Sequence, residues 1–192
     1  MLAVARGRGT GVNFREADAS NHLFHSTHDL LFSRFGVMFF ADPVAAFANL
    51  RKALRPHGRL AFVCWRDMTE NLWASAPIDA ARPLLPPQDA VDPHTPGPFA
   101  FADSERVKGI LAKAGYRDIR IERLDSTMNM GATVDDAAEQ ALRIGPLARA
   151  VADVDDATRD RIREAVRGVL GRFATPAGIA PPAACWLTGA IA

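Results

Sequence analysis

An α/β fold built on a parallel sheet is predicted for this 192-residue chain, from two observations within residues 29 to 65. That stretch reads as strand, loop, helix, turn, strand, and both strand segments are continuous apolar runs. Such runs suit strands covered on both faces, as in parallel sheets joined by crossover helices. The helix between them carries its own start and stop signals. Open α/β sheets bind ligands outside the carboxyl ends of their strands, so the residues following each run are where function is sought.

The elements follow in order. Met1 to Arg6 reads as the last turns of a helix ending in Gly7 to Gly11. Val12 to Ala17 is a short predicted strand, followed by Asp18-Ala19, and residues 20 to 28 are a polar loop. The next strand is preceded by Asp29, has its apolar run at Leu30 to Phe32, and breaks at Ser33-Arg34-Phe35-Gly36. Asp42 then serves as N-cap, with Pro43 at the first helical position, where the missing donor costs nothing. Val44, Phe47, Leu50 and Leu54 recur at helical spacing. Arg51, Lys52 and Arg55 load the last turn, where the helix dipole favours cations. Pro56-His57-Gly58 ends that helix, and Leu60 to Trp65 form the second apolar strand.

Arg66 to about Ala102 reads as a long loop rich in proline, and loops of that length are usually functional. Asp103-Ser104 caps a helix running to Ala114, with Gly115 just past its end. Ile119, Ile121 and Leu124 alternate along a strand. Thr133 with Asp136 makes a capping-box start for a helix interrupted at Gly145-Pro146. A further helix spans about Asp155 to Phe173, with Ile162, Val166, Val169 and Leu170 on one face. Ala184 to Ala192 closes the chain as a strand.

Composition narrows the function. With 48% hydrophobic residues the chain can bury one good core, which predicts one domain. A net charge of +1 gives no electrostatic case for nucleic acid or an anionic membrane. Cys64 and Cys185 lie inside apolar strands and read as buried thiols of a reducing compartment. The N-terminus has no signal-peptide pattern, and no window approaches the roughly 18 apolar residues of a membrane span. A cytoplasmic protein without a membrane span is expected.

The ordered blocks DLLFSRFGVMFF, the Asp42-Pro43 helix, LRPHGRLAFVCW, the helix ending in AGY, and a final strand with Trp186-Leu187 resemble the class I S-adenosylmethionine-dependent methyltransferases. The similarity is to the small-molecule branch near the quinone-biosynthesis enzymes. LRPHGRL looks like that family's L-[RK]-P-G-G-x-L turn, with His57 in place of the first glycine. The resemblance implies a Rossmann-like sheet of order 3-2-1-4-5-7-6, a final antiparallel strand, S-adenosylmethionine as cofactor and a small-molecule acceptor. It also implies a glycine-rich cofactor loop after the first strand and an acidic ribose-binding residue after the second. Neither is in this sequence. The expectation is one partial domain over 1–192, truncated at its N-terminus and lacking the first two strands, with a helical insertion or lid at 133–174. Such a chain is expected to be impaired in methyl transfer, and the competing reading is a catalytically inactive remnant acting as a binding module. A sheet without its central strands would expose a long edge, so a homodimer through that edge is expected.

By the same resemblance, Asp18 and Ala19 fall beside the adenine and Ser33, Arg34 and Phe35 beside the methionine part of the cofactor. Trp65, Arg66, Asn71 and Trp73 fall at the acceptor, where aromatics make an apolar wall. The residues alone leave Asp18 open to a plainer role, capping its own loop. Gly7-Arg8-Gly9-Thr10-Gly11 follows a helix and precedes a strand, the inverse of a phosphate-binding context. His22, His25 and His28 have a metal-like spacing but no tetrahedral ligand set around them. His57 and His94 are single turn histidines, His94 a weak candidate base. A dehydrogenase reading is disfavoured by the LRPHGRL turn and the Trp-containing last strand.

Overall fold

The computed structural model describes residues 2–8, 11–87 and 92–192. Gly9 and Thr10 of the glycine-containing segment lie outside the described residues. Helix α1 (Leu2–Gly7) comes first, and residues 11–27 hold no helix or strand. The expected strand at 12–17 does not form: its residues are mostly exposed and pair with no sheet among the described residues. A strand needs a neighbour for its backbone groups, and none of the described strands pairs with residues 12–17.

β1 (His28–Arg34), α2 (Pro43–Arg51) and β2 (Leu54–Trp65) make the predicted β-α-β unit, with β1 and β2 parallel. The Asp42 carboxylate accepts from the Ala45 amide and so caps α2. β2 begins earlier than the LRPHGRL turn suggests, at Leu54 rather than Leu60. His57 is accommodated there with φ +66, in the left-handed region that glycine occupies freely.

The expected long loop from 66 to 102 is instead largely ordered around α3 (Leu72–Ala81), which tolerates Pro77 inside it. α4 (Ser104–Lys113) is capped by Asp103, which accepts from the Glu105 and Arg106 amides, and Gly115 follows with φ +89. β3 (Arg117–Thr127) comes next. The Thr133–Asp136 capping box is formed and starts α5 (Val134–Arg143). Gly145 (φ +94) breaks the chain into α6 (Pro146–Ala150), and Asp155 caps α7 (Asp156–Leu170). A two-stranded hairpin, β4 (Ala174–Thr175) with β5 (Gly178–Ile179), leads to β6 (Pro182–Ile191).

The sheet runs β1-β2-β6-β3, with β6 antiparallel to both of its neighbours. This is the four-strand half 4-5-7-6 of the anticipated order. Alternation along β2 sends Leu60, Phe62 and Cys64 into one layer, where α2 and α4 meet around Phe47, Phe62 and Phe101. Phe47 is fully buried, and burial of such a ring contributes about 2–3 kcal/mol. On the other face α3 packs against β6 and against α5, α6 and α7, whose Ala141, Leu142, Ile162, Val166 and Leu170 are buried. That cover stops short of β1, where Leu30 and Phe32 remain 48% and 60% exposed. No helix of the described residues is long and apolar enough to cross a membrane.

Candidate active site

An aromatic wall stands where β1 and β2 end. The Phe35 ring stacks on Trp65 at 4.1 Å between centroids with the planes 13° apart. Trp65 leans on Trp73 at 4.8 Å, and Trp73 on Phe99 at 6.1 Å. Phe35 reaches Trp65 with φ +56, a left-handed conformation that is a genuine outlier for a bulky residue. The Arg34 guanidinium lies 5.9 Å from the Phe35 ring centre, within cation–π range. The helical insertion reaches this wall too. A Cβ on Gly145 would meet the Trp73 ring at 3.2 Å, a tight contact, and its φ of +94 favours glycine where the insertion approaches the wall.

Two expected acceptor contacts are spent on the fold. Asn71 is fully buried. Its Nδ2 donates to the Arg66, Asp67 and Ala184 carbonyls at 3.3, 2.9 and 3.1 Å. Its Oδ1 accepts from the Trp73 indole at 3.0 Å and the Ala184 amide at 2.9 Å. Asn71 thus fixes the height of Trp73 and ties the β2 end to β6. Arg66 is 3% exposed, ion-paired with Glu70 and Asp125, and lies over the Trp186 ring at 5.2 Å. Its charge is neutralised inside the protein, and its role there is to hold the wall's support.

On the other side of β1 runs an open groove of about 560 Å³, lined by Ala19, Phe24, Leu30, Phe32, Ser33 and Val37 among others. Ala19 and Ser33, predicted from separate loops, come together here. They do so because the Asn49 side chain of α2 donates to the Ala19 and His22 carbonyls at 3.2 and 2.9 Å, pinning the 18–22 turn. Asp18 heads that turn. Its carboxylate accepts from the Ser20 hydroxyl and amide and from the Asn21 side chain at 2.7, 2.9 and 2.9 Å. Those bonds, the Ser20 pair foremost, hold its pKa below the ordinary carboxylate value. Oδ1 takes two of them and Oδ2 only one, which leaves Oδ2 a free acceptor position.

Asn49, Phe24 and Phe99 were not singled out from sequence, because each acts through a contact distant along the chain. The three histidines do not converge. His22 packs edge-on against Phe24 at 4.8 Å, and no group able to hold a metal is found among the described residues. His94 and His57 lie outside both the wall and the groove.

Residues 1–62 match the family model of the methyltransferase domain. That match covers 62 of the 192 residues. Among solved structures, the methyltransferase candidate BH2331 of Bacillus halodurans C-125 matches at 13% identity with a TM-score of 0.54, covering 98% of this chain and 75% of that one. The YcgJ protein of Bacillus subtilis matches at 12% identity and a TM-score of 0.52, covering 99% and 75%. A Haemonchus contortus phosphoethanolamine N-methyltransferase 2, solved with phosphomonomethylethanolamine and S-adenosylhomocysteine, gives a TM-score of 0.43 at 14% identity, with 91% and 36% covered. No curated protein matches. The first two similarities show that the chain shares the Rossmann-like α/β fold of those proteins. The groove and the wall lie on the two flanks of the carboxyl end of β1.

Proposed function

We propose that the chain carries the acceptor side and part of the cofactor side of a site for methyl transfer to a small apolar or aromatic molecule. The observation that carries this is the Phe35–Trp65–Trp73 wall at the end of β1, near the Ala19–Ser33 groove, with Phe35 held in the left-handed region. A non-glycine residue in the left-handed region costs of order 1–3 kcal/mol and persists where the surroundings impose it.

S-adenosylmethionine, when bound, supplies an electrophilic sulfonium methyl. Toward that group, Asp18 Oδ2 is suited to accept from the adenine amino group, while Ser33 and the backbone at Arg34 face the methionine portion. Trp65 and Trp73, both buried, and Phe99 give the strand ends an apolar backing that excludes water, and orientation of the acceptor is most of what such a displacement asks of a protein. Among the described residues the wall offers no uncommitted acid or base, since Arg66 and Asn71 are saturated. An acceptor that is already nucleophilic fits that surface best. The insertion at 133–174 acts as a cover, through the contact of Gly145 with Trp73.

The same features support weak donor binding by these 192 residues, because the groove is open along β1 and no glycine-rich strand–turn–helix borders it among the described residues. The second reading, a binding module without turnover, draws on the full commitment of Arg66 and Asn71. Calorimetric titration with S-adenosylmethionine to high micromolar concentration separates the two. Saturable heat that is lost in Ser33→Trp, which fills the groove, supports the enzyme reading. An absence of heat in the intact, folded chain rejects it.

A further inference from the structure

We infer that a basic cleft at the amino ends of β2 and β3 binds a compact, multiply charged phosphate group carried by a small molecule. The cleft lies at the other end of β2 from the aromatic wall and is independent of the proposed function. It holds about 370 Å³ and is lined by Arg51, Lys52, Arg55, His57 and Arg117 among others. Pockets for small ligands begin at about 300 Å³. Three pieces of chain bring the cations there: Arg51 and Lys52 end α2, Arg55 and His57 start β2, and Arg117 starts β3. Gly115, with φ +89, turns the chain into β3 close beside α2, and a Cβ there would lie 3.6 Å from the Arg51 guanidinium. The buried Tyr116 hydroxyl, which has no hydrogen-bond partner among the described residues, feels the same guanidinium. Burial pushes its pKa up, and the Arg51 charge pulls against that. The convergence is set by α2, β2 and β3 themselves and not by where the chain begins or ends.

What marks the cleft is a shortage of carboxylates. Elsewhere the arginines are answered: Arg66 by Glu70 and Asp125, Arg163 by Glu139 and Asp160, Arg167 by Asp135 and Glu164. In the cleft Arg55 has Asp29 at 2.9 Å, while Arg51, Lys52 and Arg117 have no ion pair among the described residues. Asp118, next along the chain from Arg117, does not line the cleft. Three unanswered like charges around one concavity repel each other and concentrate anions. The plainer role, cations at the carbonyl end of a helix, accounts for Arg51 and Lys52 at most, since Arg117 belongs to β3. Even at α2 the Asn49 and Leu50 carbonyls are already met by the Lys52 and Ala53 amides, each at 3.0 Å. Arg117 gives one of its five N–H donors to the Ala192 carbonyl at 3.2 Å and keeps the rest. A guanidinium fork meets two phosphate oxygens at once, and an ammonium adds a point charge. Arg51 and Arg117 supply the forks and Lys52 the point charge. His57 is held in the lining with φ +66, strain of the kind that collects at ligand clamps. A polymer would need a longer groove to track its backbone.

Calorimetric titration of the purified chain with inorganic pyrophosphate, at a constant ionic strength of about 50 mM, is the test. The expected result is saturable one-site binding, weakened at least about tenfold by Arg51→Ala and by Arg117→Ala. Arg161→Ala, which removes an exposed arginine of α7, should change it less than about twofold. Arg51→Lys and Arg117→Lys keep the charge but lose the fork, and should fall between wild type and the alanine variants. His57→Gly is expected to bind about threefold more weakly while gaining stability. Circular dichroism and thermal melts confirm that each variant is folded. No saturable heat up to about 5 mM pyrophosphate overturns the inference, as does binding that survives both cleft alanine variants or falls equally with Arg161→Ala. ADP distinguishes the carriers: binding at least about tenfold tighter than pyrophosphate assigns a nucleotide, and equal affinity assigns the phosphate group alone. A single-stranded oligonucleotide bound more tightly than either, and dependent on Arg51 and Arg117, overturns the small-molecule reading.

Discussion

Replacement of Asn71 by alanine decides whether this residue serves the fold or an acceptor. The side chain is fully buried and engages five backbone and side-chain groups. Three of its partners are carbonyls, of which that of Ala184 still accepts from the Arg66 amide at 3.0 Å after the change. The Ala184 amide and the Trp73 indole N–H are left buried with no partner. Each orphaned buried donor costs about 1–3 kcal/mol, and the lost bonds to the Arg66 and Asp67 carbonyls add somewhat more. The expected loss is about 3–5 kcal/mol, a large share of the 5–15 kcal/mol typical of a folded domain. Urea titration followed by tryptophan fluorescence reads it as a lowered midpoint at unchanged m-value. A variant within about 0.5 kcal/mol of wild type, with donor or acceptor binding lost, would show that Asn71 contacts ligand instead, and would refute the structural assignment.

Two further changes probe the backbone and the core. His57→Gly removes a left-handed strain of about 1–2 kcal/mol and adds unfolded-state entropy of about 0.4–1 kcal/mol, so a net gain near 0.5–1 kcal/mol is expected, read in the same titration; a loss would mean the His57 side chain holds the turn. Cys64 has its thiol pushed up to about 12, by burial first and by Cys185 second, from an ordinary value of 9.0. The folded chain therefore holds that proton more tightly than the unfolded one, so stability is flat below about pH 9 and falls as pH rises toward 12. Cys64→Ala should flatten that decline, and an unchanged slope would assign it elsewhere. Thiol reagents at pH 8 should leave Cys64 unmodified until the chain unfolds.

The elements legible from sequence were those encoded locally. Asp42, Asp103, Thr133 with Asp136, and Asp155 each announce a helix start through a bond spanning two or three residues, and each bond is present. Residues 12–17 have the composition of a strand, but strand formation depends on a neighbour that composition cannot report. The 66–102 segment was obscured by its prolines, although Pro77 sits inside α3 and Asn71 opens that helix. Asn71 illustrates the general difficulty. Its partner Ala184 lies 113 residues away, and nothing near position 71 distinguishes a residue that joins two strands from one that meets a ligand.

Phe35 shows why the groove and the wall belong to one site. By the alternation of β1 its ring would continue on the face of Leu31 and Ser33, beside Phe62 and Cys64. The left-handed φ ends that alternation and turns the ring onto Trp65, leaving Ser33 as the last residue of β1 that lines the groove. One strained residue therefore follows the part of β1 that lines the groove and begins the wall. The strain of about 1–3 kcal/mol is held by the Trp65 stack and by the 3.0 Å bond from the Phe35 amide to Val63.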